Sequence, residues 1–325
     1  MIRTPLLATV LTAAALNAAA VQAEPFTFVA LGDNPYGEPA VVNPHYETLI
    51  ATINDRAPSF VLHIGDFKSG ATLCDDAMMT SQLGYMNSFA SATIYTPGDN
   101  EWTDCHRKKA GQFDPLERLA YLRANFFADP AMSLGKVPMA EESQPVVMGE
   151  AFAAFTENRR FVKDDVMVVT AHVVGSNNNF EVRDINAVTE FMARDAANVA
   201  WLESSFDAAI KANAKAVVVA FQADMFEFDF NEFGDETFLR HSGFINFANA
   251  LVKKSGEFGK PVLIVYGDSH HFMVHRPFPA TAGNIVALEV YGETDMNAVS
   301  VTVNPADAAV FSFTPVINPN PVPKS

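Results

Sequence analysis

Four Gly-Asp pairs each follow a short apolar run, and these aspartates are the residues of the sequence best suited to chemistry. The apolar runs cover residues 26–31, 60–64, 93–97 and 262–266, and the aspartates are Asp33, Asp66, Asp99 and Asp268. Any single Gly-Asp pair is equally consistent with an ordinary turn. Parallel strands that end side by side would bring all four carboxylates to one sheet edge, where like charges require a cation. Hard divalent ions prefer such oxygen ligands.

The elements that must position these carboxylates alternate between strand and helix patterns, which predicts an α/β fold. Asn43-Pro44 is expected to cap the first helix, and Asp114-Pro115 a later one. The other predicted helices cover 80–90, 184–212 with a break near Asn198, and 236–255. A hairpin of 161–163 with 166–171 and a buried strand at 216–221 are also predicted. Strands at 285–290, 298–303 and 310–313 have no helices between them, which predicts an antiparallel meander.

The N-terminal segment has the pattern of a signal peptide rather than of a folded element. Residues 1–23 combine a short positive start, an apolar Ala-rich stretch and small residues at Val21-Gln22-Ala23. A retained N-terminal helix is the alternative. No other stretch approaches the length of a membrane span, so we expect a periplasmic or secreted protein. Residues 24–314 would form one domain, followed by a Pro-rich tail at 315–325 without regular structure.

The charge and the two cysteines limit the classes of partner and site. A net charge of −16 without a basic stripe argues against nucleic acid as a partner. The sequence does not identify protein partners. Cys74 and Cys105 each follow a Gly-Asp pair, and in an exported chain they predict a disulfide between the two loops. Two free thiols acting as soft metal ligands remain the alternative.

The order of these motifs resembles that of the calcineurin-like metallophosphoesterases. Strand-Gly-Asp occurs at four points, with Gly-Asp-Asn-Glu at 98–101 and Gly-Asp-Ser-His at 267–270. The resemblance covers nearly all of 24–314 and implies an αββα sandwich of two mixed β-sheets flanked by helices. It also implies two divalent ions that activate a hydroxide for attack on a phosphate mono- or diester. A small phosphorylated molecule would be the substrate.

The resemblance also implies a role for each motif residue. Asp66 would be shared by both ions, with Asp33 and His270 on the first ion and Asp99 and Asp268 as further ligands. This carboxylate-rich set suits Mg²⁺, Mn²⁺ or Ca²⁺, although Fe and Zn are not distinguished. A single ion in place of the family's two is the alternative.

Three positions depart from the family pattern. Pro35 stands where the family has a ligand histidine, with Tyr36 one residue later. Asn100 replaces the histidine that assists the leaving group, and an amide cannot donate a proton as an acid. Asp268 replaces an imidazole ligand.

The remaining ligand histidine has two possible counterparts, because two strand ends compete for its place. The favoured alignment puts Gln222 there and His172 on the neighbouring strand, although His172 is also consistent with a core histidine. The candidate catalytic residues are Asp66, Asn100, His172 and His270. The candidate substrate contacts are Asn34, Asn100, His106, Arg107, His172 and Gln222. His106, His271 and His275 are candidate proton donors, and Arg107, Arg159 and Arg160 are candidate phosphate contacts.

Three functions are consistent with these residues. The first is an exported metal-dependent phosphoesterase, and the second is a catalytically degenerate binding protein that keeps the fold. A hydrolase acting on something other than phosphorus is the third, because fold does not fix chemistry. The sequence contains no Gly-X-Ser-X-Gly elbow and no phosphate-cradling glycine loop.

Overall fold

Two β-sheets packed face to face form the centre of the computed structural model, which describes residues 24–226 and 241–322. The strands are β1 Phe26–Leu31, β2 Phe60–His63, β3 Ala92–Tyr95, β4 Leu134–Gly135, β5 Glu142–Ser143, β6 Arg159–Lys163, β7 Val166–Thr170, β8 Ala216–Ala220, β9 Val262–Tyr266, β10 Met273–His275, β11 Ile285–Glu289, β12 Ala298–Val303 and β13 Phe311–Val316. The helices are α1 Pro39–Asp55, α2 Asp76–Met86, α3 Pro115–Phe126, α4 Gln144–Met148, α5 Gly175–Asn178, α6 Ile185–Lys211 and α7 Ile245–Phe258. Of these, α5 is a single irregular turn with left-handed φ values rather than a right-handed helix.

Both sheets are mixed. The first has the order β13-β12-β1-β2-β3-β4, in which β1, β2 and β3 are parallel to one another. The second has the order β10-β11-β9-β8-β7-β6-β5, in which β11, β9, β8 and β7 are parallel. The α/β fold of two mixed sheets flanked by helices, predicted from the sequence, is therefore confirmed.

The alternation of side chains along β1 explains how the layers pack. Phe28 and Ala30 belong to the core between the sheets, whereas Val29 and Leu31 pack with α1 on the outer face. Because successive strand residues point to opposite faces, a strand covered on both sides is apolar throughout. Helices α6 and α7 cover the outer face of the second sheet in the same way.

Three predicted helices differ from the observed ones. The helix predicted at 80–90 is α2, which begins at Asp76 because the side chain of Asp75 caps it. Helix α1 begins at Pro39, and Pro44 lies inside it. A proline at the first helical position costs nothing, because that N–H has no helical partner. Helix α6 runs without a break past Asn198, whose amide donates to the backbone oxygen of His172 at 2.7 Å. The polar residue that suggested a break belongs instead to a buried hydrogen-bond network.

The predicted antiparallel meander at the C-terminal end is wrong. Strand β11 joins the second sheet parallel to β9, whereas β12 joins the first sheet between β1 and β13. Of the three strands assigned to the meander, β12 and β13 alone pair with each other. Alternating apolar residues predict a strand, but they do not say which of two sheets receives it.

The boundaries of the domain can be compared only within the described residues. The last strand ends at Val316, and Asn318 and Asn320 then bond to residues of α1, so the folded part extends into the predicted Pro-rich tail. The predicted signal peptide lies outside the described residues, as does the predicted start of the 236–255 helix. Across 24–226 and 241–322, no helix has both the length and the apolar character needed to span a bilayer.

Candidate functional site

The ends of strands β1, β2, β3 and β9 bring the four aspartates of the Gly-Asp pairs together. One carboxylate oxygen from each of Asp66, Asp99 and Asp268 lies within 4.8 Å of the other two. Asp33 joins them, since both its oxygens accept the backbone N–H of Asp268 at 3.2 Å. We call these four residues the carboxylate cluster.

Two of the four glycines make room for the aspartate of another strand end, and the other two pack against Ile64 and the backbone of Gly98. A Cβ atom on Gly98 would lie 2.0 Å from Oδ1 of Asp66, and one on Gly267 would lie 2.1 Å from Oδ2 of Asp33. Asp33 and Asp66 have left-handed backbones with φ of 52° and 54°, a conformation that Asp tolerates better than most residues. The repeated Gly-Asp phrase is therefore required by the packing between strand ends.

Asp66 is the most fully hydrogen-bonded member of the cluster. Its Oδ1 accepts the backbone N–H of Asn100 at 3.0 Å, and its Oδ2 accepts the Asn100 amide at 2.6 Å and the Tyr36 hydroxyl at 2.8 Å. Its own N–H donates to both oxygens of Glu101 at 3.1 Å. These contacts fix the orientation of the carboxylate before any ligand arrives.

Asp99 and Asp268 are oriented by one irregular loop. Ser176 donates its hydroxyl to Oδ2 of Asp99 at 2.6 Å, and Gln222 donates its amide to Oδ1 at 3.3 Å. Gln222 also accepts the N–H of Gly175 at 2.6 Å. A Cβ atom on Gly175 would lie 2.7 Å from both oxygens of Asp268. Gln222 is thus in the site, in contact with Asp99.

His270 lies beside the cluster in a form suited to binding a metal. Its Nε2 is 3.9 Å from Oδ1 of Asp33, and its ring packs edge-on against Tyr36 with the centroids 5.3 Å apart. Burial lowers the pKa of His270, which favours the neutral imidazole that serves as a metal ligand.

The negative charge of the carboxylate cluster is incompletely neutralised by the surrounding described residues. Burial raises the pKa of Asp33, Asp66 and Asp268 well above the usual range, and repulsion from the neighbouring carboxylates adds to it. Oδ1 of Asn34, next to Asp33, is buried without a hydrogen-bond partner among the described residues. Clustered carboxylates, one imidazole and an unsatisfied carbonyl oxygen fit a hard divalent cation.

Several polar residues of the site were not predicted from the sequence. Lys68 is buried, which lowers its pKa, while Glu101 and Asp66 act in the opposite direction. Asp104 lies near Asp99, and burial raises its pKa to about 7. Lys68 stands two residues after a Gly-Asp pair, and this spacing was the only signal that could have identified it.

The two basic residues of the loop after Asp99 lie at the rim. Arg107 contacts Oδ2 of Asp104 through its terminal nitrogen at 2.5 Å, and half of its side chain is exposed. A Cβ atom on Gly70 would lie within 2.6 Å of both Arg107 and Oδ1 of Asn100, so the guanidinium reaches the edge of the site. His106 is exposed, and its Nδ1 lies 2.6 Å from the backbone oxygen of Thr103.

His172 lies in the core behind the site. Its ring is fully buried, with Nδ1 2.8 Å from Glu157 and the edge of the ring against Trp102. Within the described residues, none of its hydrogen bonds or ring contacts reaches the carboxylate cluster. The sequence left two environments open for His172, the site and the core, and the structure shows the core.

The other candidate contacts also have structural partners. Arg159 pairs with Glu141 and Arg160 with Glu142. His275 lies with Nε2 2.9 Å from the hydroxyl of Tyr266, and the backbone N–H of His271 donates to Glu289 at 2.6 Å.

The buried His172 should make stability depend on pH. Burial lowers its pKa from 6.5 to about 4, so between these values the unfolded chain binds the proton and the folded protein does not. The free energy of unfolding should therefore fall as the pH drops from about 6.5 to about 4, by roughly 3 kcal/mol from this group. Urea unfolding of the wild type and His172→Gln at several pH values measures this slope, which the variant should reduce.

Trp102→Phe is the matched control, because it removes packing against His172 but keeps the imidazole. It should lower the free energy of unfolding at every pH and leave the slope unchanged. An equal slope in the wild type and His172→Gln would contradict the assignment.

The predicted disulfide between Cys74 and Cys105 is confirmed, and the described residues contain no free cysteine. It joins the loop after Asp66 to the loop after Asp99, with the Cα atoms 5.6 Å apart. The bridge therefore ties the two loops together at the rim of the cluster.

Removing this disulfide should destabilise the protein substantially. The bridge closes a loop with a sequence separation of 31, for which chain entropy gives about 3–4 kcal/mol. Denaturant unfolding of the double variant Cys74→Ala, Cys105→Ala should show this loss. Reduced wild type should match the variant, and an unchanged unfolding midpoint in either would contradict the prediction.

Comparison with known proteins finds distant similarity in structure. No family model matches the chain, and neither does any curated protein sequence. TT1561 of Thermus thermophilus is similar in structure, with a TM-score of 0.45 and 8% identity over 90% of this chain and 99% of that one. Purple acid phosphatase PPD1 from yellow lupin (Lupinus luteus) seeds gives a TM-score of 0.44 and 10% identity over 91% of this chain. This chain covers 54% of that phosphatase. Similarities this distant carry no functional conclusion.

Proposed function

We propose that this protein is an exported metal-dependent phosphoesterase. The observation that supports it is the convergence of four strand-end carboxylates, three of them buried, beside the imidazole of His270. Burying so many carboxylates is costly unless a cation neutralises them. The cost is consistent with a site built to hold divalent ions.

The residues divide into two ligand groups around Asp66. Asp33 and His270 would hold one ion, Asp99 and Asp268 the other, and Asp66 would face both. When bound, such ions polarise a phosphoryl oxygen and lower the pKa of a coordinated water. Tyr36 and Asn100 would hold Asp66 in place, and Ser176 would hold Asp99.

Arg107 would bind the phosphoryl group. Arg107 is half-exposed, is tethered through one nitrogen to Asp104 and reaches Asn100 over Gly70. Arginine binds phosphate oxygens well because its planar group presents several N–H donors. Asn100 cannot protonate the leaving oxygen, and its amide already donates to Tyr36 and Asp66. Esters with good leaving groups, such as aryl phosphates, should therefore react much faster than alkyl phosphates.

A panel of aryl and alkyl phosphate mono- and diesters tests this function. We expect hydrolysis that depends on added Mn²⁺, Mg²⁺, Ca²⁺, Fe²⁺ or Zn²⁺, stops with a chelator and becomes faster as the pKa of the leaving alcohol falls. Hydrolysis unaffected by chelator, or no hydrolysis of any ester with any of these ions, would contradict the proposal.

A binding protein on the same scaffold is the second candidate. The hydrogen bonds from Tyr36 and Asn100 to Oδ2 of Asp66 favour it, because they compete with metal coordination by that oxygen. In that case the protein would bind a divalent ion and a phosphorylated ligand without hydrolysing it. Calorimetry with an ester that remains intact after incubation would identify this outcome.

Export is part of the proposal. The disulfide is compatible with an oxidising compartment, and residues 1–23 have the pattern of a signal peptide. Sequencing the N-terminus of protein recovered outside the cytoplasm should give a start near Glu24, and a start at Met1 would contradict cleavage.

A further inference from the structure

A cavity of about 510 Å³ lies beside the carboxylate cluster, on the far side of Ser176. The hydroxyl of Ser176 donates to Asp99 at 2.6 Å and lies 3.3 Å from Asp104, which lines the cavity together with Arg107. A phosphoryl group held between the cluster and Arg107 would therefore direct its ester oxygen toward this space. The cavity is thus placed to receive the alcohol part of an ester.

Two carboxylates in the wall of the cavity each use one oxygen to cap a helix and leave the other oxygen free. Asp114 caps α3 through Oδ1, which accepts the N–H of Leu116 at 2.8 Å. Asp184 caps α6 in the same way, through the N–H of Asn186 at 2.9 Å. The second oxygen of each carboxylate bonds to no other described residue. These free oxygens are held in place without the entropy cost that mobile side chains would incur.

The wall also contains a further acceptor and two residues that can donate. Asn179 donates its amide to Glu190 at 2.9 Å, which leaves its carbonyl oxygen free among the described residues. His106 uses Nδ1 at Thr103, so its Nε2 can donate or accept, and Arg107 contacts Asp104 through one nitrogen, so its other nitrogens can donate. A ligand whose groups both donate and accept hydrogen bonds would match this arrangement.

We infer that the alcohol part of the substrate is a polyhydroxylated group such as a sugar, bound in this cavity; the inference rests on the proposed function for the position of the phosphate. A hydroxyl group both donates and accepts, so several hydroxyls would satisfy both the acceptors and the donors of the wall. An apolar group would bury these polar atoms unsatisfied, and a second anionic group would meet the lining carboxylates of Asp104, Asp114, Glu181 and Asp184.

The first test compares two esters that differ in their hydroxyl groups. Glucose 6-phosphate and cyclohexylmethyl phosphate share a six-membered ring and a primary phosphate ester. With metal added, we expect a kcat/KM at least about tenfold higher for the sugar ester, which corresponds to one or two hydrogen bonds. Equal values, or a preference for the cyclohexyl ester, would overturn the inference while leaving the phosphoesterase proposal intact.

The second test does not depend on catalysis. Ligand-observed NMR with the full-length protein would compare methyl glucoside with cyclohexylmethanol, neither of which carries a phosphate. Binding of the glucoside in preference to the alcohol supports the inference even if no ester is hydrolysed, in which case only the phosphoesterase proposal fails. Preferential binding of cyclohexylmethanol, or no binding of either, overturns the inference.

A double variant tests whether the preference for the sugar ester arises in this cavity. Asp114→Asn with Asp184→Asn keeps both helix caps, because Asn caps as well as Asp, but turns the free acceptors into donors. We expect the sugar preference to fall about tenfold. Asp75→Asn, at the cap of α2 and outside this cavity, is the matched control and should keep the preference. A preference unaffected by the double variant would overturn the assignment to this cavity.

Discussion

Asp66→Asn is expected to lower kcat/KM for phosphate ester hydrolysis by at least about a thousandfold and to remove bound metal. In the proposed function Asp66 is the ligand shared by both ions, and its orientation is fixed by Asn100, Tyr36 and Glu101. Loss of such a ligand removes several kcal/mol of transition-state stabilisation, which corresponds to a rate about a thousandfold lower. Steady-state kinetics and metal content of the same preparation measure both effects.

Stability separates a lost ligand from a lost fold in this variant. Burial and neighbouring carboxylates raise the pKa of Asp66, so the ionised group is unfavourable in the metal-free protein and a neutral amide relieves the repulsion. The metal-free variant should therefore be at least as stable as metal-free wild type near pH 8, whereas added metal should stabilise only the wild type. Asp55→Asn, an exposed position on α1, should change neither property. Retained activity in Asp66→Asn would contradict the assigned role.

Gly98→Ala is expected to have the second largest effect. The added Cβ would lie 2.0 Å from Oδ1 of Asp66 and 2.6 Å from its backbone nitrogen. A flexible side chain could move away, but the backbone of a strand end cannot do so cheaply, and overpacking of this kind costs about 1–3 kcal/mol or more. We expect a lower free energy of unfolding and a loss of metal affinity of about tenfold to a hundredfold, the range seen when ligand positioning is disturbed.

Gly84→Ala is the matched control for this substitution. Gly84 lies within α2, where a Cβ would meet nothing within 4 Å. Alanine is the better helix former, so this variant should be more stable than the wild type by about 0.5–1 kcal/mol. Metal affinity should be unchanged. Gly98→Ala with normal metal affinity would show that Asp66 does not need the space that this glycine provides.

The carboxylate cluster could be predicted because its signal is local. A buried strand, a glycine and an aspartate are adjacent in sequence, and the parallel strands β1, β2 and β3 bring Asp33, Asp66 and Asp99 to one sheet edge. The prediction of a single edge is wrong for Asp268, which follows β9 of the second sheet and meets the other three where the two packed sheets face each other. The pairing of Cys74 with Cys105 followed from the same reasoning, since both follow Gly-Asp pairs. The glycine contacts between neighbouring strands were not predicted, because they depend on which strands lie side by side.

The loop that holds Asp99 could not be predicted from the sequence. Ser176, Asn177, Asn178 and Asn179 all have left-handed backbones, with φ between 51° and 59°. Such a run is costly in isolation and is held by distant groups, including Arg194, which donates to the backbone oxygen of Asn178 at 2.9 Å. The asparagine run indicated a turn, but its position against Asp99 depends on long-range contacts.

The environment of His172 also depends on long-range contacts that the sequence does not show. Its place at the end of a strand was consistent with a site residue, but Glu157, which precedes β6, lies 2.8 Å from Nδ1 of its ring. No local pattern distinguishes a histidine aimed at the sheet edge from one that pairs with a buried carboxylate. The side chain that does contact Asp99 from the neighbouring strand end is Gln222.

The most direct test of the account is the metal content of mature protein purified without chelators, measured by elemental analysis after equilibration with Mn²⁺, Mg²⁺, Ca²⁺, Fe²⁺ or Zn²⁺. The account predicts one or two ions per chain in the wild type and in Gly84→Ala, and fewer in Asp66→Asn. No bound ion in the wild type after equilibration with any of these metals would contradict the central claim that the carboxylate cluster is a metal site.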